Sequence, residues 1–445
     1  MKRTQLMLLV LLCAQILGVL TIDAKSRPAL WPDGTKMDAW FSDTSKVDVT
    51  TLGKRYTITD YGVKNDSTLI QTAAIQHVID DVAQRGGGVI VIPRGTFLTG
   101  ALFFRQGTHL YLEDGATIKG SDRIENFPIL ETRIEGQTCK YFAALINADG
   151  LDGFTIAGKG TINGNGYHYW REFWIRREWN RQCTNKDAQR PRLVYISNSR
   201  NVTVQDVRLM NSPFWTNHLY RCDHVRYLDC FIYAPTEGVK APSSDALDID
   251  ACTDVLVNGC YMNVNDDAVV LKGGKGTFAD LAPENGPNER ILVQNCHYGN
   301  VMGCLTLGSE SLHDRNIILR NIRCDRSQRV LWLKMRPDTP QHYEYVLIQN
   351  ITGHTGAFLV VKPWTQFYDL KDRKDMPRSH CNNIVMEGIR MDCNNFFDVK
   401  TSDKYDLSDF TFRNIDVTDK KDLFRADVIL RTVVDHVTIN NTKRK

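Results

Sequence analysis

Between residues 200 and 442 the chain returns repeatedly to one short phrase of apolar and polar positions. An apolar residue is followed two positions later by another. Two further on comes Asp, Asn or Gly, and directly after it a small apolar residue. The phrase is read at Val202, Val204, Asp206, Val207 and again at Val225, Tyr227, Asp229, Cys230. It returns at Val255, Val257, Gly259, Cys260, at Ile291, Val293, Asn295, Cys296 and at Ile317, Leu319, Asn321, Ile322. Further copies are Val346, Ile348, Asn350, Ile351, then Ile384, Met386, Gly388, Ile389, then Phe410, Phe412, Asn414, Ile415, and last Val437, Ile439, Asn441, Thr442. Phe154, Ile156 and Gly158 read as an earlier copy. Alternation with a period of two predicts strands. Spacings of 23 residues (207 to 230) to 38 (351 to 389) predict a solenoid. A strand this short cannot bury its apolar face alone, so the copies must stack, about 4.8 Å apart, with equivalent side chains in ladders.

An open end of such a stack exposes core and unpaired strand edges, so a cap is required. Residues 68–85 supply one: Ile70, Ala73, Ala74, Val78, Ile79 and Val82 follow helical spacing, and Gly86, Gly87 and Gly88 stop the helix. Val89, Val91, Leu110 and Leu112 then begin strands. The expected fold class is all-β, a parallel solenoid with an N-terminal capping helix.

Two compositional features change this picture. The N-terminus reads as a secretory signal over residues 1–24, with Lys2 and Arg3 ahead of an apolar run from Leu6 to Leu20 and small Ala24 before the cut. That run of 15 residues falls short of the roughly 20 needed to span a bilayer. Residues 25–445 are then one exported domain, secreted or periplasmic, with no membrane attachment after cleavage. Export permits disulfides. Yet Cys230, Cys260 and Cys296 hold one equivalent position in three copies, which predicts a buried ladder of small side chains rather than bridges. The net charge of +3 gives no reason to expect nucleic acid as a partner.

Several motifs, met in order, resemble the pectin-degrading members of glycoside hydrolase family 28, the polygalacturonase family. They are Asp60-Tyr61-Gly62, Ala74-Ile75-Gln76, Pro93-Arg94-Gly95, Gly115-Ala116, Gly160-Thr161-Ile162-Asn163-Gly164 and Asn211-Ser212-Pro213-Phe214-Trp215. The block Ser244-Asp245-Ala246-Leu247-Asp248 followed by Asn265-Asp266-Asp267-Ala268 looks like the family's catalytic core. The resemblance runs from about residue 56 to 440. It implies a right-handed parallel β-helix and a pectic polysaccharide or oligosaccharide as substrate, handled by a monomer.

Glycoside hydrolysis needs one carboxyl to protonate the leaving oxygen and another to activate water or attack. Asp245 and Asp267 are 22 residues apart, about one coil, so stacking should bring them together with Asp266 alongside. Crowded carboxylates resist joint ionisation, which leaves a protonated acid beside an ionised base. The resemblance implies an inverting reaction with Asp266 as acid and Asp245 with Asp267 as the pair that holds and deprotonates water. The rival reading is that all three are solvated turn residues. Asp248 and Asp250 are read as supporting residues.

Two departures from the family pattern bear on specificity. The family's Gly-His-Gly element, aligned on Gly308-Ser309-Glu310, has Met302 where His is expected, although Gly303 remains. Its Arg-x-Lys element, which grips a substrate carboxylate beyond the cleaved bond, is here Trp332-Leu333-Lys334. Trp cannot make the paired hydrogen bonds by which Arg holds a carboxylate. Trp332 and Met302 suit a neutral 6-deoxy sugar such as rhamnose, so the expected polymer is rhamnogalacturonan; the rival is that both are core residues and specificity lies elsewhere. Lys334 is expected to bind a galacturonate carboxylate, and Lys272 to face the cleft.

The aromatic and basic stretch 167–181 reads either as a sugar platform or as a helical insertion packed on the solenoid. Lys362-Pro363-Trp364-Thr365-Gln366-Phe367-Tyr368 interrupts the repeat and reads as a loop that walls the cleft. His218 and His224 are read as structural. No metal-binding signature or phosphate-cradling loop occurs, so neither metal nor cofactor is expected. The competing activities are an exo-polygalacturonase or α-L-rhamnosidase on the same scaffold, a β-helix lyase, and a non-catalytic pectin-binding β-helix.

Overall fold

The polar position of the repeated phrase is where the backbone turns. Asp206, Asp229, Asn295, Asn321, Asn350 and Asn414 all have φ between 52° and 62°, and Gly259 and Gly388 occupy the same place at 72° and 68°. Only Gly, Asn and Asp enter this left-handed region at small cost, which is why the phrase admits those three. The Asn side chains also bridge the coils. Asn295 donates to Asn258 at 2.9 Å, Asn321 to Asn295 at 3.0 Å and Asn350 to Asn321 at 3.0 Å.

The computed structural model describes residues 29–366, 371–421 and 423–441; the signal at 1–24 and Phe367 and Tyr368 of the wall loop lie outside them. Coils of parallel strands stack into a right-handed β-helix whose chain passes through three ladders in turn. The first ladder carries the repeated phrase. Val202, Val225, Val255, Ile291, Ile317, Val346, Ile384 and Phe410 follow one another in register. The last copy departs from the reading above. Val434, not Ile439, pairs with Phe412, and Val437 pairs with Ile415. Among the described residues no strand pairs beyond Val433–Asn441, in which Val433 and Val434 are exposed.

The third ladder positions the site. It runs through Ile146–Asp149, Val194–Ser197, Asn217–Tyr220, Leu247–Asp250 and Val269–Lys272, then through the later parts of His297–Leu307, His313–Met335 and His342–Pro363. Leu247, Ile249, Val269, Leu271, Leu305, Leu307, Leu331 and Leu333 point into the core. Alternation sends Asp248, Val270, Thr306 and Trp332 outward as one column in register.

The cap is helix α1, Thr72–Gln84, which buries Ile75, Val78, Ile79 and Val82. Ala73 and Ala74 face solvent, and Ile70 is 41 % exposed ahead of the helix. The buried spacing is therefore i, i+3, i+4, i+7 from Ile75, and the face is one position later than the broad apolar pattern implied. Helix α2, Tyr167–Trp179, is an insertion that buries Tyr169, Trp170 and Phe173 and leaves Trp179 exposed. The strands Ile129–Ile134 and Gln137–Phe142 form an antiparallel hairpin outside the ladders. All eleven cysteines among the described residues are free thiols, and Cys230, Cys260 and Cys296 are buried. No described helix is long and apolar enough to cross a membrane.

Candidate active site

Leu247 pairs with Val269, so Asp245 and Asp267, each two residues upstream, meet where successive coils enter the third ladder. Val269 pairs in turn with Leu305, and the Met302 amide donates to the Asp266 carbonyl at 2.8 Å. Carboxylate oxygens of Asp245, Asp266 and Asp267 lie within 4.8 Å of one another. Asp245 and Asp267 are buried, while Asp266 is half-buried. Such a group could also accept a divalent cation. Two ammonium groups already stand beside it, however.

Lys334 Nζ is 3.0 Å from Asp267 Oδ2. Lys272 Nζ lies 3.3 Å from Glu310 and 3.5 Å from Asp248, over the ring of Trp215 at 4.7 Å. Protonation follows from this crowding. Burial, then the charge of Asp267, pushes Asp266 up to about 6 against the pull of Lys334 and Lys272. Burial, then Asp266 and Asp248, raises Asp245 well above the ordinary carboxylate range. The group therefore retains a proton under conditions in which isolated aspartates have lost theirs. Burial also opposes ionisation of Glu310, but Lys272, Lys275 and Arg336 outweigh it and hold Glu310 well below its usual range.

Gly303 is needed here. A Cβ at that position would come within 2.6 Å of Asp267 Oδ1 and 2.3 Å of the Thr306 hydroxyl. Beneath the site, Asp250 is fully buried between Arg133 at 3.1 Å and His218 at 3.5 Å. Arg192 contacts the other side of the His218 ring at 2.7 Å. Burial pushes His218 down to about 3, so the imidazole is neutral. His218 and Asp250 thus support the floor, as their sequence context suggested, although Arg133 and Arg192 carried no signal of a part in it.

The cavity over the carboxylates holds about 360 Å³. Asp245, Asp266, Lys272, Met302, Trp332 and Lys334 all line it. Its walls come from insertions: Glu135 at the hairpin turn, Phe173 and Arg177 of α2, residues 183–185, Lys275, and Trp364 with Gln366. Trp332 and Lys334 both point outward, and Leu331 and Leu333 inward, so Trp332 is no core residue. Nor is Trp332 the open apolar shelf expected of it. It is 9 % exposed, with the Arg329 guanidinium 3.8 Å and the Lys334 ammonium 4.0 Å from its ring centroid, and Trp364 edge-on at 5.4 Å. With cations packed so closely on the ring, what it offers a sugar is an edge, beside half-buried Met302. Lys334 likewise faces Asp267 directly rather than standing free for a substrate carboxylate.

Glu310, Lys275 and Arg336 were not singled out by sequence. Glu310 lay inside the Gly308-Ser309-Glu310 anchor, and Trp215 inside a matched motif, so both were within reach. Lys275, Arg336 and Glu135 reach the cavity from loops that converge only in the folded chain.

Residues 89–331, more than half of the chain, match the family described as glycosyl hydrolases family 28, and the chain belongs to that family. An exo-poly-alpha-D-galacturonosidase of Dickeya chrysanthemi is 35 % identical over 66 % of this chain and 54 % of its own length. An exopolygalacturonase of Zea mays is 25 % identical over 54 % of both chains. The chain thus spans about half the length of these curated relatives. The crystal structure of an exopolygalacturonase from Thermotoga maritima has the same fold, with a TM-score of 0.68 at 21 % identity over 87 % of this chain and 92 % of that one.

Proposed function

We propose that the protein is an exported pectin-degrading hydrolase that cleaves an α-galacturonosidic bond at a chain end, with a neutral sugar such as the rhamnose of rhamnogalacturonan on the far side of the bond. The observation that carries the reading is the convergence of three carboxylates, with oxygens within 4.8 Å, two of which, Asp245 and Asp266, line a cavity of about 360 Å³. That volume is near the lower end of ordinary ligand pockets, roughly 300–1,000 Å³. Walls on several sides suit one or two sugar units at an end rather than a chain lying across. Lys275 and Arg177 of the walls supply charge for a uronate carboxylate. Beyond the bond, Trp332 and Met302 replace the Arg and His of the family pattern, which removes a carboxylate grip and favours a neutral unit.

In this reaction the Asp266 carboxyl gives its proton to the bridging oxygen as the C1–O bond breaks. A water attacks C1 from the opposite face and passes its proton to the Asp245 and Asp267 pair, which accepts it as a unit because crowding keeps Asp245 and its neighbours from ionising together, so the anomeric centre inverts. The carboxylates here lie closer than the roughly 6.5–9.5 Å usual between acid and base in inverting enzymes. The water must therefore sit beside the Asp245 and Asp267 pair rather than in line between two facing groups. Asp266→Asn should lower kcat by about 10²–10⁴-fold and leave oligosaccharide binding intact. Wild type inert on every pectic fragment, yet able to bind them, would instead establish a binding module.

A second reading, exo-polygalacturonase acting on homogalacturonan, is favoured by the five cations Arg177, Lys272, Lys275, Lys334 and Arg336 lining the cavity and by the exopolygalacturonase activities for which the relatives are named. Hydrolysis of both polymers side by side separates the two. Faster release from polygalacturonate than from rhamnogalacturonan would sink the rhamnogalacturonan assignment.

A further inference from the structure

A second and larger concavity, of about 1290 Å³, opens beyond Trp332 towards the C-terminal coils. It adjoins the cavity through neighbouring residues. Arg329 lines the groove while its guanidinium packs on Trp332, and Val360 and Lys362 of the groove pair in register with Trp332 and Lys334 of the cavity. The groove crosses five coils, from Asn300 in His297–Leu307 to Thr418 in Tyr405–Asp419, a run of about 19 Å at the usual strand spacing.

Its cations outnumber its carboxylates: Lys240, Arg326, Arg329, Lys362, Lys420 and Lys421 line it with Glu237, Asp392 and Asp398. Asp398 is committed to Lys362, and Asp392 to His354 at 3.0 Å. Arg326, Arg329, Lys420 and Lys421 line the same groove, and no carboxylate among the described residues forms an ion pair with any of them. Here four cations converge on a trough that leads out of the carboxylate cavity, and burial already lowers the pKa of Arg329.

We propose that this groove binds the remainder of an acidic oligosaccharide whose end occupies the cavity, its uronate carboxylates taken by Arg326, Arg329, Lys420 and Lys421. The proposal rests on the hydrolase reading above for the direction in which the chain leaves. In rhamnogalacturonan the neutral unit at Trp332 would be followed by a uronate, so a groove rich in cations past an apolar edge fits an alternating chain.

The test uses calorimetric titration of the full chain carrying Asp266→Asn with galacturonate dimer and galacturonate hexamer. The same titrations are run after adding Arg326→Ala, Lys420→Ala and Lys421→Ala together. Exposed charge contacts contribute about 2–5-fold each in affinity, so hexamer binding should weaken by roughly tenfold or more and lose much of its salt dependence, with dimer binding unchanged. Unchanged hexamer affinity overturns the proposal. Equal weakening of dimer and hexamer overturns it too, since the loss would then lie in the cavity or the fold. Wild-type turnover is measured separately. Inert wild type with groove-dependent hexamer binding ends the hydrolase reading and keeps the groove, whereas active wild type with groove-independent binding does the reverse.

Discussion

At the scale of single residues, the site depends on an atom that is missing. Gly303 leaves room for the Asp267 carboxylate, and a methyl group there would displace it. A misplacement of about 1 Å can cost about 10²-fold in rate, so Gly303→Ala should lower kcat by that order while the far-ultraviolet circular dichroism stays that of the parent. Protonation provides a second residue-scale test. Asp266, raised to about 6, is useful as an acid only below that value, so kcat/KM should fall as pH rises through about 6. Lys334 stabilises the ionised form of Asp266, and Lys334→Met should move this alkaline limb to higher pH. The sign for stability is the same. The folded pKa exceeds the unfolded value of about 3.9, so the contribution of Asp266 is complete below about pH 4 and is lost as pH climbs through about 6. An alkaline limb that Lys334→Met leaves in place would remove Asp266 from the acid role.

At the scale of elements, the left-handed corner of each coil explains both what the chain can tolerate and how much of it was legible. Asn321 has φ 55° and links Asn295 to Asn350. Asn321→Val should destabilise by about 1–2 kcal/mol, and Asn321→Gly by less, read as the order of thermal melting midpoints. This corner is why the coils could be read from the chain: a position restricted to Asp, Asn or Gly, set against period-two apolar residues, is a strong joint signal. The same regularity placed Asp245 beside Asp267 and Trp332 beside Lys334 on the outward face. It failed at the last described coil, where Val437 pairs with Ile415, five residues beyond its apparent equivalent Phe410. It had nothing to say about the walls. The hairpin with Glu135, helix α2 and the loop with Lys275 belong to no repeat, and nothing in their spacing ties them to one cavity. The close packing of Arg329 on Trp332 was also hidden, because residues three apart in a strand meet only when the strand bends at a corner between ladders.

At the scale of the whole molecule, stacking makes the stability of each coil depend on its neighbours, and the ends depend on caps. Helix α1 covers the first coils with Ile75, Val78, Ile79 and Val82, all fully buried. Ile79→Ala should cost about 2–5 kcal/mol, visible as a lower melting midpoint. Damage should begin at this end, so amides of the strand Gly88–Ile92 should exchange hydrogen faster before those of Val269–Lys272 do. Equal acceleration along the full length would argue against an end-capping role.

The outward column that runs from Asp248 through Val270 and Thr306 to Trp332 has a further meaning. Neighbours along it are separated in the chain by a whole turn of the spiral, yet in space by a single strand step. Asp248, Val270 and Thr306 are sealed from solvent, so within this column an exchange at Trp332, which lines the cavity, alters the cavity surface while Leu331 and Leu333 beside it still face the core. Preference among pectic polymers can thus drift independently of the scaffold that displays it.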